Sequence, residues 1–203
     1  MNRKESAART RAKLVETARE LICDRGLDAV TVDEITERSG VAKGTFYAYF
    51  KRKEDIVFEL SKDAFDDILH EAENIDGGIV ERLCGYLVRF AEHIEKSNLR
   101  LCREWVREVV QMRPSSGEYD KGKLSRDIAA IGAIIEDGTA RGELRANTPV
   151  EELAMFVTEV VYGEMLCWCI GDGAVSFSER TRRFAKTHLP VILGGYVQVC
   201  KTV

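Results

Sequence analysis

The chain has 203 residues, 45% apolar and 32% charged, the balance of a globular protein able to build a core. No apolar run of the ~18–20 residues that a membrane span needs is expected, and the polar, basic start from Met1 to Arg11 has no apolar signal region, so a cytoplasmic protein is expected. The net charge of −4 hides an asymmetry: up to Lys53 there are 12 Lys and Arg against 8 Asp and Glu, and beyond it 18 against 26, a basic head on an acidic body.

Helical periodicity runs through the whole chain. Leu14, Ala18, Leu21 and Ile22 form the apolar stripe of a first helix over about 9–25, with Gly26 as its stop. Thr31 and Glu34 form a T-x-x-E capping box, and Val30 and Ile35 sit at the staple positions around it. This second helix ends near Ser39, and Gly40 permits a tight turn. A third helix is expected over 42–50, and a fourth over 53–74 with Ile56, Leu60, Phe65, Ile68 and Leu69 as anchors.

After the break at Asp76-Gly77-Gly78, helices are expected over 79–96 (Leu83, Leu87, Phe90, Ile94) and 99–112 (Leu101, Cys102, Trp105, Val109). A loop over 113–117 precedes a helix over 119–141. The next helix is expected to have Thr148 as cap, Pro149 at its first position and Glu151 closing a second capping box. The last starts at Ser176 or Ser178, runs to about Val199 and is kinked by Pro190. The expected fold is all-α, with about nine helices: a three-helix head over 1–56 and a larger helical domain over 57–203.

The second and third helices, with Gly40 between them, have helix-turn-helix spacing. Ile35, Val41, Phe46 and Tyr49 occupy the apolar positions that pack the pair, and Thr36 stands where a smaller residue is usual. On the third helix, Ala42, Phe46 and Phe50 repeat at i, i+4 and i+8 and face the core. Lys43, Gly44, Tyr47 and Ala48 fall outside, Thr45 lies on the border, and Tyr49 is close to the core face. A lysine beside a phenol can hold phosphates, Gly44 permits close approach of a DNA backbone, and Thr45 offers a hydroxyl. Lys53, at the start of the fourth helix, favours an anion there.

The run RGLDAVTVDEITERSGVAKGTFYAYFKRKEDI, above all Thr31, Gly40, Lys43 to Tyr47, Phe50 and Lys53, resembles the DNA-binding domain of the TetR family of bacterial transcriptional regulators. The similarity covers about Arg9 to Ile56, and more loosely the RGELRANTPVEELA stretch. It implies a homodimer that binds a palindromic operator in double-stranded DNA. It also implies a helical C-terminal domain that takes a small-molecule effector and releases DNA, as a repressor does. On this pattern the DNA contacts are Thr31, Lys43, Gly44, Thr45, Tyr47, Tyr49 and Lys53. Arg3, Lys4, Arg9 and Arg11 add backbone contacts, and Ala48 stands where many relatives carry a larger residue.

In the larger domain, Tyr86, Phe90, His93, Cys102, Trp105, Met155, Phe156, Glu159 and Tyr162 mix aromatics, sulfur and polar groups as ligand pockets do. Glu159, if buried, suits a cationic effector. Phe184, His188, Leu189, Ile192 and Tyr196 lie at helical spacing on the last helix, and Gly194-Gly195 permits close approach of another helix. Because the family pairs its last two helices across a two-fold axis, these five are the expected dimer contacts.

The six cysteines (Cys23, Cys84, Cys102, Cys167, Cys169, Cys200) match no zinc spacing and read as reduced thiols. No nucleophile–base constellation, Gly-rich phosphate loop or H-E-x-x-H motif is present, so neither an enzyme nor a cofactor or metal site is expected. The alternative reading is a helical protein-interaction module, or a ligand-independent regulator, whose helix-turn-helix is not a sequence-specific repressor.

Overall fold

Helix formation begins at Arg3, ahead of the expected Arg9, because RKESAAR contains good helix formers and no breaker. The computed structural model describes residues 3–60, 68–70, 75–111 and 123–198. Among them ten helices follow in order: α1 (Arg3–Arg25), α2 (Val32–Ser39), α3 (Lys43–Tyr49), α4 (Asp55–Glu59), α5 (Ile79–Ser97), α6 (Leu99–Gln111), α7 (Lys123–Ala140), α8 (Val150–Ile170), α9 (Phe177–Thr187) and α10 (Leu189–Gly194). The fold is all-α. The expected fourth helix is described only as α4 and 68–70; its stretches 61–67 and 71–74, the loop 113–117, the start at 119, the end at Val199 and Cys200 lie outside the described residues.

The helices assort into two compact units. One unites residues 1–64 with 97–112, so α1 to α4 pack with α6; the other unites 65–96 with 113–203, so α5 packs with α7 to α10.

In the first unit Leu14, Ala18, Leu21, Ile22, Leu27, Val30, Ile35, Phe46, Phe50 and Ile56 form the core. Thr31 caps α2: its Oγ1 accepts from the Glu34 N–H at 3.2 Å. The reciprocal half of the capping box is not made, because the Glu34 carboxylate pairs with Arg25 instead. Gly40 adopts φ 63° and ψ 29°, a left-handed conformation that costs any residue with a Cβ about 1–2 kcal/mol. Thr36 is tolerated at its crowded position because its hydroxyl turns inward to the Val32 and Asp33 carbonyls, 2.9 Å from each. α6 buries Leu101, Cys102 and Trp105 in this unit.

The second unit is centred on α8, whose Leu153, Ala154, Val157, Val161, Met165 and Trp168 are buried. By length and composition α8 is also long and apolar enough to cross a membrane, with a mean hydropathy of 1.5, which the expectation of no such run missed. The second capping box does not form: Thr148 turns its hydroxyl back to the Arg145 carbonyl at 2.6 Å, and Pro149 occupies the cap position without a side-chain bond. The expected kinked last helix is two helices, broken at His188, with Pro190 in the first turn of α10 where its missing N–H costs nothing. The helix stops at Gly194; Tyr196 and Gln198 instead pair in extended form, Arg145 N–H donating to the Tyr196 carbonyl and Gln198 N–H to that of Glu143, each at 2.9 Å.

Two charged groups hold the second unit together. Arg82, 1% exposed, donates to the Gly77 carbonyl at 2.8 Å and pairs with Glu143 at 2.9 Å. Glu95 of α5 caps α9, accepting from the Phe177 N–H at 3.1 Å and the Ser178 N–H at 3.2 Å.

Candidate nucleic-acid interface

The turn at Gly40 sets α3 against α2, and burial of one aromatic decides which face of α3 is free. Phe46 is completely buried and Phe50 nearly so, while Tyr47 stands 50% exposed with its ring edge-on to Phe46 at 5.4 Å. Burying a phenylalanine side chain contributes about 1.5–3 kcal/mol, so this orientation is strongly favoured. Lys43, Gly44, Tyr47 and Ala48 are exposed and Thr45 is half-buried, with Thr31 exposed at the start of α2. A Cβ on Gly44 meets nothing within 4 Å, so that stretch of backbone lies open. Ala42, expected on the core face, is exposed instead: it is the residue before the helix, in extended conformation, and does not follow the helical spacing.

Two expected contacts point elsewhere. The Tyr49 hydroxyl donates to the Ala7 carbonyl of α1 at 3.1 Å, which ties α3 to α1. The Lys53 ammonium donates to the carbonyls of Leu27 at 2.7 Å and Val30 at 2.8 Å. It closes the loop between α1 and α2, and it precedes α4 in a turn rather than opening a helix. Arg11 likewise faces inward, paired with Glu59 of α4 and lying 5.7 Å from the Phe50 ring centroid.

Asp33, which the sequence reading passed over, faces Lys43 across the two helices with its Oδ1 2.5 Å from the ammonium. The hydrogen bond from Lys43 to Asp33 and the attraction of the carboxylate raise the lysine above its ordinary value. The only sequence signal for this pair is that Asp33 lies in the first turn of α2, where an acid complements the helix dipole.

Residues 14–60 match the family model described as bacterial regulatory proteins, tetR family. The probable HTH-type transcriptional regulator ArpR of Pseudomonas putida is 35% identical over 199 residues, covering 93% of this chain and 94% of that protein. The chain belongs to the TetR family. The HTH-type transcriptional repressor KstR2 of Mycolicibacterium smegmatis is 24% identical over 196 residues, covering 94% of this chain and 92% of that protein. The crystal structure of tylp, a tetr regulator from Streptomyces fradiae, shares the fold with a TM-score of 0.61 at 23% identity, covering 94% of this chain and 92% of that one. As a TetR-family member the chain is a transcriptional regulator.

In this TetR-family chain the expected effector residues divide into several groups. Tyr86, Phe90 and Tyr162 line one cavity of about 10 Å³, with Leu87, Asp127, Ile131, Thr158 and Val161. The Tyr162 hydroxyl donates to Asp127 Oδ2 at 2.6 Å, and burial, with the nearby carboxylate, pushes the phenol far above its ordinary value. Met155, Phe156 and Glu159 are exposed and do not line that cavity, so Glu159 is not the buried carboxylate. Asp127, 5% exposed, holds that position. His93 is half-buried on α5, while Cys102 and Trp105 belong to α6 of the first unit.

The expected dimer residues also separate. Phe184 and Leu189 are buried inside the protomer, while His188 is exposed and Ile192 and Tyr196 are half-buried. The larger apolar surface lies on α8, where Met155, Leu166 and Ile170 are 48%, 45% and 75% exposed at helical spacing, with Gly163 among them. A Cβ on Gly163, Gly194 or Gly195 meets nothing within 4 Å.

Proposed function

We propose that this TetR-family regulator is a cytoplasmic repressor that binds a pseudopalindromic site in double-stranded DNA as a homodimer and is released by a small-molecule effector. The observation that carries the reading is the exposed surface of Thr31, Lys43, Gly44, Thr45 and Tyr47, held outward by the buried Phe46 and the Gly40 turn. Lys43 and Tyr47 are the base- and phosphate-facing groups, and Thr31 and Gly44 serve close backbone approach. Tyr49 and Lys53 act from within the head, through α1 and the loop after it. The name of the KstR2 relative, a repressor, supports the direction of control.

Residues 1–56 form the reading head in this proposal and residues 57–203 the effector-binding and dimerising part. The effector enters by parting Tyr86, Phe90 and Tyr162, because the cavity of about 10 Å³ among them holds no more than a water. The exposed apolar stripe of α8, with α10, meets its counterpart in the second subunit. An effector releases DNA only to the extent that it binds the released state more tightly than the DNA-bound one.

The test is fluorescence anisotropy with labelled fragments from around the protein's own gene, at two salt concentrations, beside a Lys43→Ala/Tyr47→Ala double variant and scrambled DNA. Tight, salt-sensitive binding of one fragment, lost in the variant, is expected. Equal weak binding to all fragments favours the interaction-module reading, which the inward position of Lys53 makes worth testing.

A further inference from the structure

We infer that Asp33 is a specificity-determining residue, which neutralises Lys43 and keeps the recognition surface from acting as a general phosphate binder. The inference rests on the DNA-binding reading above.

The head carries more cations than acids, yet its cations are largely committed. Arg11 pairs with Glu59, Arg19 with Glu16, Arg25 with Glu34, Arg38 with Glu20 and Arg52 with Asp55, and Lys53 is turned onto carbonyls. Lys43 and Asp33 are the pair that stands on the outward surface of α2 and α3, with side chains 54% and 71% exposed. A cation strengthens DNA binding without regard to sequence because it neutralises a phosphate and releases condensed counterions. Each neutralised phosphate adds about 0.9 to the slope of log affinity against log salt. A lysine already neutralised by a carboxylate releases none, and the carboxylate itself repels the backbone.

An ion pair this exposed is cheap to open. Its opening is compensated where both partners find better company on DNA. A G·C pair offers this in the major groove: guanine O6 and N7 accept from a lysine, and cytosine N4 donates to an aspartate. A phosphate satisfies Lys43 but leaves Asp33 facing negative charge. The pair therefore penalises non-specific contacts more than one matching base pair.

The experiment is a salt titration, from 50 to 200 mM NaCl, of the full-length protein on a labelled duplex of randomised sequence. The chains compared are the wild type, Asp33→Ala, Asp33→Asn and Asp33→Ala/Lys43→Ala. Both single variants are expected to bind more tightly at 50 mM and to have a slope steeper by about 0.9. Their advantage then shrinks by about 3.5-fold over the fourfold rise in salt. The double variant returns to the wild-type slope. Circular dichroism and the thermal midpoint guard against a merely structural effect, and Asp33→Asn keeps the shape of the first turn if the alanine variant folds poorly. Single variants that match the wild-type slope, or bind more weakly, overturn the inference while leaving the DNA-binding reading intact. If neither the wild type nor the single variants bind the duplex at 50 mM, the inference is overturned, while the DNA-binding reading is decided by the fragments from around the protein's own gene.

Discussion

Lys53 reaches back along the chain to Leu27 and places its ammonium 2.7 Å from the leucine carbonyl. The same leucine's N–H donates to Glu104 Oε1 of α6 at 3.0 Å. One residue in the loop between α1 and α2 is thus held by a cation on its carbonyl and a carboxylate on its N–H. Both holders come from segments remote in sequence but inside one compact unit.

Lys53→Ala is therefore expected to act on the head's stability. Hydrogen bonds to a charged group are worth about 1.5–3 kcal/mol each, and Leu27 and Val30, whose carbonyls accept them, are fully buried, so a loss of at least about 2 kcal/mol is expected. Urea unfolding followed by circular dichroism measures it. The salt slope of DNA binding should stay at the wild-type value, since no phosphate contact is removed. A slope lower by about 0.9 with unchanged stability would return Lys53 to the DNA surface.

Glu104 gives a sharper comparison, because its second oxygen pairs with Arg107 at 2.9 Å and Arg107 in turn holds Asp28 at 2.7 Å. Glu104→Ala leaves the Leu27 N–H without its acceptor and is expected to cost about 1–3 kcal/mol. Glu104→Gln keeps an acceptor and should recover more than half of that. Equal losses in the two variants would mean that the ion pair with Arg107, and not the bond to Leu27, carries the effect.

These two residues also mark the limit of what the sequence made legible. The helix-turn-helix could be read because its determinants are local: Thr31 caps the helix that follows it, Gly40 takes the left-handed turn, and Phe46 repeats with Phe50. Lys53 could not be read, since its carbonyl partners lie over 20 residues upstream and nothing in KRKED points toward them. Periodicity identified the apolar face of 99–112 but not the unit it packs in. Phe184 and Leu189 illustrate the same gap. An apolar stripe says that a face is covered, and here the protomer itself covers it. Glu159 and Asp127 are both acids on apolar helices, and only packing makes the second the buried one.

The cap on α9 predicts a specific acid response. Partial burial pushes the Glu95 carboxyl up, but bonds from the Ser178 and Ser176 hydroxyls and from the Ser178 and Phe177 N–H groups outweigh it and hold the carboxyl below its ordinary value. A carboxyl lowered in the folded state contributes stability that is complete above its unfolded value of about 4.3 and is lost as pH falls through the folded value. Glu95→Gln keeps an acceptor but loses the charge, and is expected to cost about 1 kcal/mol at pH 7, the difference between hydrogen bonds to charged and to neutral groups. Its difference from the wild type should narrow below about pH 4. Thermal midpoints measured from pH 3 to 7 test this, and a difference that stays constant across the range would remove Glu95 from the acid response.

The exposed stripe on α8 makes the strongest demand on the assembly. Met155, Glu159, Gly163, Leu166 and Ile170 fall on one side of the helix, and three of the five are large apolar residues open to solvent. A second copy of the chain is the proposed cover, and well-buried apolar anchors at such interfaces are worth about 2 kcal/mol apiece. Leu166→Glu/Ile170→Glu should then weaken dimerisation roughly a thousand-fold, because 1.4 kcal/mol corresponds to about a tenfold change. Light scattering on a sizing column at about 10 µM distinguishes a monomeric variant from a dimeric wild type. Helicity should be retained, since neither residue is buried in the protomer. Phe184→Glu provides the contrast: Phe184 is only 7% exposed within a single chain, so this change should unfold the second unit rather than separate two folded chains. A double variant that remains dimeric would move the interface off α8, and the exposed Gly194-Gly195 pair at the end of α10 would become the next surface to test.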